Sequence, residues 1–327
     1  LHALHACVYY DTGAYAHLGG EVMALGMEHA GGPYRIPHTC VEGWCLYTNN
    51  PVAGAMRGFG VAQVSFAFEG MMDILAARLG LDPLDLRRRN ALRAGDRNCA
   101  GVIMTTSTGI GGCLEEVAGH PLWKDRAVWK AGAGPFKKRG VGIAAVFNAM
   151  GYGRGLPDTA VAKIEMTPAG RIIVYSGVTD MGQGNATAFV QIAGAVLNQE
   201  EGMIDLVQPD TERTLPSGSA AASRTTYTYG NALIRACEDM RRRILGRASM
   251  FLLVDRLEDL ELLPGRVRHP ATGREVPLAI LAATLTEPER FCVYQYLMPV
   301  VPDPPATGRE FRIGFPHLLF SYGCHLA

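Results

Sequence analysis

The chain has 327 residues, of which 48% are hydrophobic and 19% charged, a composition that supports a large buried core and two subdomains. Its 31 basic and 31 acidic residues cancel, which gives no sequence-wide attraction to nucleic acid or to an anionic membrane. The eight cysteines include no CxxC pair, which disfavours a zinc cluster and an iron–sulfur cluster. No apolar run reaches membrane length, which disfavours a transmembrane segment. We therefore expect a cytoplasmic protein with reduced thiols.

The first part of the chain predicts one strand, a region of short strands and turns, and two helices. Residues 3–10 have strand-like composition, and residues 31–50 favour short strands and turns. Apolar residues recur at helical spacing over residues 61–80, and the glycine at position 80 suits the position after a helix C-terminus. A second helix is expected after it, with Asp82 as N-cap and Pro83 at its first position.

The second part predicts alternating strands and helices after a surface connection over residues 119–139. Strands are expected in GVGIAAVFNAMGYG, TAVAKIEMTPAG and RIIVYSGVTD, the last two joined by a Pro-Ala-Gly turn. Helices are expected in NATAFVQIAGAVLN and GNALIRACEDMRRRILGRASMFL, and GRVRHPATGREVPL indicates a hairpin. The predicted class is α+β, with mixed sheets and packed helices.

Three glycine-containing turns precede predicted helix starts: GAMRGFG at residues 54–60, TDMGQG at 179–184 and LPSGSAAAS at 215–223. Such turns let a backbone approach a ligand closely, and helix N-termini attract anions. None has P-loop or GxGxxG spacing, so each alone is best explained as structural, whereas together they suggest donors that converge on a large polar cofactor.

Several charged and polar side chains have both a structural and a functional interpretation. Arg57 needs an acceptor, either a salt bridge, a helix end or a ligand. Gln183 is either an exposed turn residue or a hydrogen-bond partner, and Phe59 is either a core residue or a pocket wall. The nine histidines predict no metal site, because no two have ligand spacing on a helix. The arginine runs at 87–89 and 241–243 predict solvated helix faces.

Five segments, in chain order, resemble the molybdopterin-binding subunit of the xanthine dehydrogenase and aldehyde oxidoreductase family, the molybdenum hydroxylases. They are GPYRIP, TNNPVAGAMRGFG, LDLRRRNALRAGD, TDMGQGNATAFVQIA, and SGSAAASRTT followed by GNA. The resemblance implies two subdomains of a molybdopterin-binding domain, over residues 1–138 and 139–327. It also implies a molybdopterin mononucleotide or dinucleotide carrying molybdenum, and hydroxylation of an electron-poor carbon with oxygen from water.

The resemblance assigns roles to particular residues. Arg57 and Ala222 would lie near the molybdenum without being protein ligands in the usual sense, and Phe59 and Tyr152 would contact the substrate. The other expected cofactor-binding residues are Gly182, Gln183, Gly184 and Ala221. Since the pterin dithiolene holds the metal, no cluster of cysteines and histidines is required.

Departures from the family pattern limit what the chain can do alone. Purine-hydroxylating relatives place an arginine where this chain has Leu25 and a Phe-Thr pair where it has Tyr152-Gly153, so purine specificity is not expected. The upstream glutamine segment and the downstream general-base glutamate are missing, and the sequence begins and ends abruptly. We therefore expect a partial chain, lacking N- and C-terminal parts of the subdomains and containing no catalytic residue of its own.

The resemblance further implies partners. These are the remainder of the molybdopterin subunit, domains or subunits with [2Fe–2S] clusters and FAD, and a small-molecule substrate such as an aldehyde or N-heterocycle, within a complex that dimerises. Two alternatives are a non-catalytic scaffold that keeps the fold without the cofactor, and a nucleotide-binding oxidoreductase. The absence of Walker and dinucleotide spacing argues against the latter.

Overall fold

The computed structural model describes residues 1–300 and 314–327, which form two units with separate hydrophobic cores. Unit 1 consists of Leu1–Leu156 and Pro299–Ala327, and unit 2 of Pro157–Met298. The helices are α1 (Gly19–His29), α2 (Val61–Leu79), α3 (Pro83–Asn90), α4 (Ile110–Gly119), α5 (Pro121–Lys124), α6 (Arg126–Ala131), α7 (Asn185–Leu197), α8 (Gly230–Leu252) and α9 (Leu278–Ala283). The strands are β1 (Ala3–Gly13), β2 (His38–Tyr47), β3 (Ile143–Ala149), β4 (Thr159–Met166), β5 (Ile172–Tyr175), β6 (Ile204–Val207), β7 (Glu261–Leu263), β8 (Arg266–Arg268), β9 (Glu275–Pro277), β10 (Phe291–Leu297) and β11 (Phe320–Leu326).

Unit 1 contains two two-stranded sheets. β1 and β2 pair in parallel, and β3 and β11 pair antiparallel. Side chains along β1 alternate between exposed and half-buried, and α1 packs on the half-buried face of the β1–β2 pair. The turns expected within residues 31–50 occur at residues 31–33, but the expectation of several short strands is wrong, since β2 is one continuous strand of 10 residues.

The helices α2 and α3 form where the sequence predicts them. Gly80 ends α2 in a left-handed conformation, which costs least at a residue without a Cβ atom. The Asp82 carboxylate accepts hydrogen bonds from the N–H groups of Leu84 and Asp85, and Pro83 occupies the first turn of α3. The end of α2 and the start of α3 are therefore set locally, by Gly80, Asp82 and Pro83.

A buried arginine joins α2, α3 and β3. The Arg87 side chain is 0% exposed, and its Nε donates to Glu69 Oε2 over 2.8 Å. The other oxygen of Glu69 accepts from the Tyr34 hydroxyl, and Oε2 also accepts from the backbone N–H of Ala145. The solvated face predicted for residues 87–89 is thus wrong for Arg87, whereas Arg88 pairs at the surface with Glu115.

Unit 2 is built on a four-stranded mixed sheet in the order β10-β4-β5-β6. β5 pairs antiparallel with β4, across the predicted Pro-Ala-Gly turn, and in parallel with β6. Helices α7 and α8 pack together, and α8 lies against β4 and β10. A separate three-stranded sheet, β7-β8-β9, contains the predicted hairpin. Mixed sheets with packed helices confirm the α+β class.

The connecting region over residues 119–139 differs from its prediction. It contains the short helices α5 and α6, and the Trp123 side chain is buried in the core of unit 1. The compact units also divide at a place other than residue 138, because β3 pairs with β11 and belongs to unit 1. The subdomains 1–138 and 139–327 remain a prediction. Among the described residues, none of the helices combines the length and apolar character that crossing a membrane requires.

Replacing Arg87 with methionine removes the cation and leaves the Glu69 carboxylate buried. We expect the free energy of unfolding to fall by about 3–5 kcal/mol, because an uncompensated charge then stays in the core. The matched change Arg88→Met breaks an exposed ion pair and costs about 1 kcal/mol or less. Urea unfolding followed by circular dichroism measures both losses, and equal losses would contradict the role assigned to Arg87.

Candidate functional site

The GAMRGFG turn has an unusual backbone. Gly58, Phe59 and Gly60 have φ angles of 98°, 48° and 98° before α2 begins. A Cβ atom at Gly60 would lie 2.1 Å from the carbonyl oxygen of Val22, so only glycine fits against α1 there. The left-handed conformation of Phe59 costs about 1–2 kcal/mol, since its Cβ crowds the backbone. Surrounding structure therefore holds the ring in place against a local preference.

Arg57 is exposed at this turn. None of its nitrogen atoms bonds to a residue in the described ranges, and the salt bridge or helix-end contact of the structural interpretation is not found there. The preceding residues line an open depression of about 410 Å³ together with His17, namely Val52, Ala53, Gly54, Ala55 and Met56. A free guanidinium beside a depression can bind an anionic or oxygen-rich ligand.

The TDMGQG turn leads directly into α7. Gly182 and Gly184 have φ angles of 98° and 88°, both are exposed, and a Cβ atom at either would meet no atom within 4 Å. The Asp180 carboxylate accepts hydrogen bonds from the N–H groups of Gly182 and Ala186, each over 2.8 Å. These hydrogen bonds lower the pKa of Asp180, and the bond from Ala186 has the largest effect. The amides expected to face a cofactor anion are thus already bonded to a carboxylate of the same turn.

Gln183 bridges the turn while remaining exposed. Its Nε2 donates to the carbonyl of Thr179 over 3.0 Å, and its Oε1 accepts from the N–H of Met181. A carboxamide has two N–H donors and two oxygen lone pairs, so one of each is left for a ligand. The turn therefore presents the edge of an amide, held in orientation by its own backbone.

The loop with Ala221 and Ala222 is held by a second buried arginine. Arg224 pairs with Asp158, both side chains being 1% exposed. Its Nη1 donates to the carbonyl of Ser217 over 3.1 Å, and its Nη2 to that of Thr159 over 2.6 Å. These bonds fix the loop at both ends.

The backbone of that loop is left-handed at two non-glycine residues. Ala222 has a φ of 53° and Ser223 of 49°, and Ala221 and Ala222 are both exposed. A non-glycine residue in this conformation persists only where its surroundings determine it. The bonds of Arg224 supply that constraint, and the small alanine side chains leave the backbone accessible.

Tyr152 is half-buried in unit 1, next to a buried polar network. His317 Nδ1 lies 2.8 Å from Glu28 Oε2, and its Nε2 donates to the carbonyl of Gly151 over 3.2 Å. Each ring nitrogen of His317 thus lies within hydrogen-bond distance of an acceptor oxygen, which ties Gly151 and His317 to Glu28 on α1. Burial is the largest influence on the pKa of Glu28 and raises it, but the charge and hydrogen bonds of His317, with a contribution from His29, together outweigh burial, and the net shift is downward.

His29 supports the same segment from the other side. Its Nδ1 lies 2.7 Å from the carbonyl oxygen of Leu25, and its Nε2 accepts from the N–H of Ala149 over 3.0 Å. Burial lowers the pKa of His29, so the ring stays neutral. Leu25 itself lies in the core of unit 1 on α1.

Each unit groups part of the predicted site. Unit 1 contains Arg57, Phe59 and Tyr152, and unit 2 contains the other predicted residues, Gly182, Gln183, Gly184, Ala221 and Ala222. Their roles remain predictions. The sequence alone did not predict the residues that hold these positions, Asp180, Arg224 and Asp158, although an aspartate two residues before a glycine is a recognisable Asx-turn signal for Asp180.

The mixed sheets, packed helices and exposed glycine turns define an α+β cofactor-binding fold. The chain belongs to the molybdopterin cofactor-binding domain family. One family model with that description matches residues 1–91 and a second matches residues 116–327, which is more than half of the chain. The resemblance to the molybdopterin-binding subunit of the molybdenum hydroxylases is thus confirmed.

Two relatives are similar over most of this chain. A probable xanthine dehydrogenase subunit of Bacillus subtilis is 36% identical, over 73% of this chain and 32% of its own length. A putative xanthine dehydrogenase molybdenum-binding subunit of Escherichia coli is 31% identical, over 86% of this chain and 40% of its own length. The chain therefore spans well under half of the length of these relatives.

The same fold occurs in a solved aldehyde oxidoreductase from Desulfovibrio gigas. That structure is 25% identical to this chain, with a TM-score of 0.73, over 99% of this chain and 33% of that one. The arrangement of elements in the two units is thus one that a molybdenum hydroxylase uses.

Gly218 tests how tightly Arg224 holds its loop. A Cβ atom there would lie 2.2 Å from Arg224 Nη1, at a φ of 74°. We expect Gly218→Ala to lower the free energy of unfolding by about 2–4 kcal/mol. Gly246→Ala, inside α8 where a Cβ meets no atom within 4 Å, should raise it by about 0.5–1 kcal/mol. Thermal unfolding compares the two; a neutral Gly218→Ala would show that the loop yields easily.

The contribution of His29 to the stability of the chain should fall below pH 6.5, the ordinary pKa of histidine. In the unfolded chain His29 takes up a proton there, while the buried ring does not, so stability is lost as the pH falls. Its contribution approaches about 1.4 kcal/mol per pH unit. Urea unfolding from pH 7.5 to 5.5 should therefore show a shallower slope for His29→Gln than for the wild type, and identical slopes would refute this assignment.

Proposed function

We propose that the chain is part of the catalytic molybdopterin-binding subunit of a molybdenum hydroxylase that hydroxylates an aldehyde or an N-heterocyclic or aromatic substrate. The observation that carries the proposal is Arg57. An exposed arginine with no partner among the described residues, on a turn with three consecutive left-handed residues, has no structural task there. Strain held at one turn is typical of binding sites.

The residues present fit a molybdopterin. The exposed amide edge of Gln183 matches the hydrogen-bonding edge of a pterin, and the exposed glycines beside it leave room for a flat ring. We assign pterin binding to Gly182, Gln183 and Gly184, and to the accessible backbone of Ala221 and Ala222. The N-terminus of α7 is a poor phosphate site, because the Asp180 carboxylate already occupies its amides.

When bound, the cofactor supplies the redox chemistry, by which two electrons leave the substrate carbon and oxygen from water enters. The protein contributes position and charge. Arg57 would supply positive charge to the bound group, and the accessible backbone of Ala222 would limit access to it. Phe59 and Tyr152 orient a flat substrate by ring contacts. The general-base glutamate is expected outside these 327 residues, so this chain alone is not expected to be active.

The partners follow from the same proposal. Relatives of this chain are named as subunits, which supports a multi-subunit enzyme. Electrons leaving the molybdenum need acceptors, and we assign these to [2Fe–2S] clusters and FAD on other domains or subunits. The cytoplasm remains the expected compartment. The scaffold alternative retains one favourable observation, namely that the amides of the TDMGQG turn are bonded without a cofactor.

The decisive experiment is the molybdenum and pterin content of the native complex, purified from its source through a tag on this chain. Near-stoichiometric molybdenum and pterin, with iron co-purifying, is the expected result. An intact complex without either would support the scaffold alternative. Metal analysis and fluorescence of the oxidised pterin give the two quantities independently.

Gln183→Ala in the same complex tests the assigned contact. Losing one hydrogen bond from each side of the amide should weaken pterin binding by about tenfold. Gln191→Ala is the matched control, since Gln191 is also exposed, on α7, and should leave the pterin content unchanged. Equal pterin content in all three proteins would remove Gln183 from the site.

A further inference from the structure

One face of the β1–β2 pair carries three side chains of the types that ligate transition metals. His5 and Cys7 lie two residues apart on β1, which places both side chains on the same face. Glu42 on β2 is the register partner of Cys7. All three residues are exposed, on the face opposite the one that α1 covers.

Their ligand atoms converge. His5 Nε2 lies 3.0 Å from Glu42 Oε2, and Cys7 Sγ lies 3.7 Å from His5 Nε2 and 3.8 Å from Glu42 Oε2. A tetrahedral zinc ion holds a sulfur about 3.6 Å from a neighbouring nitrogen or oxygen, and a nitrogen about 3.4 Å from an oxygen. The observed distances match these values to within about 0.4 Å.

We propose that His5, Cys7 and Glu42 form a surface site for a divalent transition-metal ion of the zinc class, made of residues other than those assigned to the pterin. One thiolate, one imidazole and one carboxylate are a donor set that zinc accepts, with water in the fourth position. The set is a poor match for Ca²⁺ or Mg²⁺, which require oxygen ligands. On binding, the metal–sulfur bond replaces the S–H bond of Cys7, and the proton goes to solvent.

The cluster is not better explained as a redox pair. Cys40 is the nearest thiol on the same face, but it pairs with His5 and is diagonal to Cys7. Diagonal residues on paired strands are about 7–8 Å apart at Cα, beyond the usual reach of a disulfide. The Cys40 sulfur also lies outside the group of atoms that converge within 4.8 Å.

The local electrostatics favour a cation. No lysine or arginine pairs with Glu42 among the described residues, and His5 is its only ion-pair partner there. A bound metal would replace the histidine hydrogen bond by two coordinate bonds.

Co²⁺ titration of the full 327-residue chain tests the proposal, because tetrahedral cobalt bound to a thiolate absorbs visibly and in the near ultraviolet. We expect one Co²⁺ per chain with a thiolate band, displaced by Zn²⁺. Cys7→Ser should abolish the band, and His5→Gln and Glu42→Gln should each weaken Co²⁺ binding by at least about tenfold. These exposed side chains can be changed without opening the core.

Cys40→Ser is the matched control, a thiol lost from the same face of the same strand pair, and it should leave the band and the affinity unchanged. The proposal would be overturned if a thiolate band were absent at millimolar Co²⁺. A band that survives Cys7→Ser would overturn it as well. Equal losses in Cys40→Ser and Cys7→Ser would overturn the three-residue assignment. Circular dichroism of each variant confirms that the fold is kept.

Discussion

A guanidinium group withdrawn from water must find acceptors for its donors inside the protein, and among the described residues one fully buried arginine in each unit meets that constraint. In unit 1, Arg87 requires α2 and α3 to bring the side chain and carbonyl of Glu69 within its reach. In unit 2, Arg224 requires the ends of the loop before it and the start of β4 to converge. The loop that carries Ala221 and Ala222 is thus held in place by the hydrogen bonds of a buried cation.

Elements with a local cause could be predicted from the sequence, and those that depend on distant residues could not. Gly80 and the Asp82-Pro83 pair mark helix ends through their own backbone preferences. The solvated face predicted for Arg87–Arg89 was wrong for Arg87, because successive helical residues point about 100° apart and cannot share one solvated face. Which of them turns inward depends on Glu69, 18 residues away.

The candidate site shows the same limit. The glycine turns were recognisable, since positive φ angles are a property of glycine itself. The exposure of Arg57 and Gln183 and the buried pairing of Arg224 with Asp158 depend on packing over long sequence separations. The convergence of His5 with Glu42 requires the parallel register of β1 and β2, which no helical spacing of histidines could reveal.

The Asp180 carboxylate has a consequence for assembly. By bonding the amides of its own turn, it acts as a built-in substitute for an anion, and the turn takes its shape during folding of the polypeptide. Insertion of a cofactor is then docking onto a rigid surface, with little ordering entropy left to lose. Folding of unit 2 and insertion of the cofactor can then be separate steps, because the turn has its final shape before the cofactor binds.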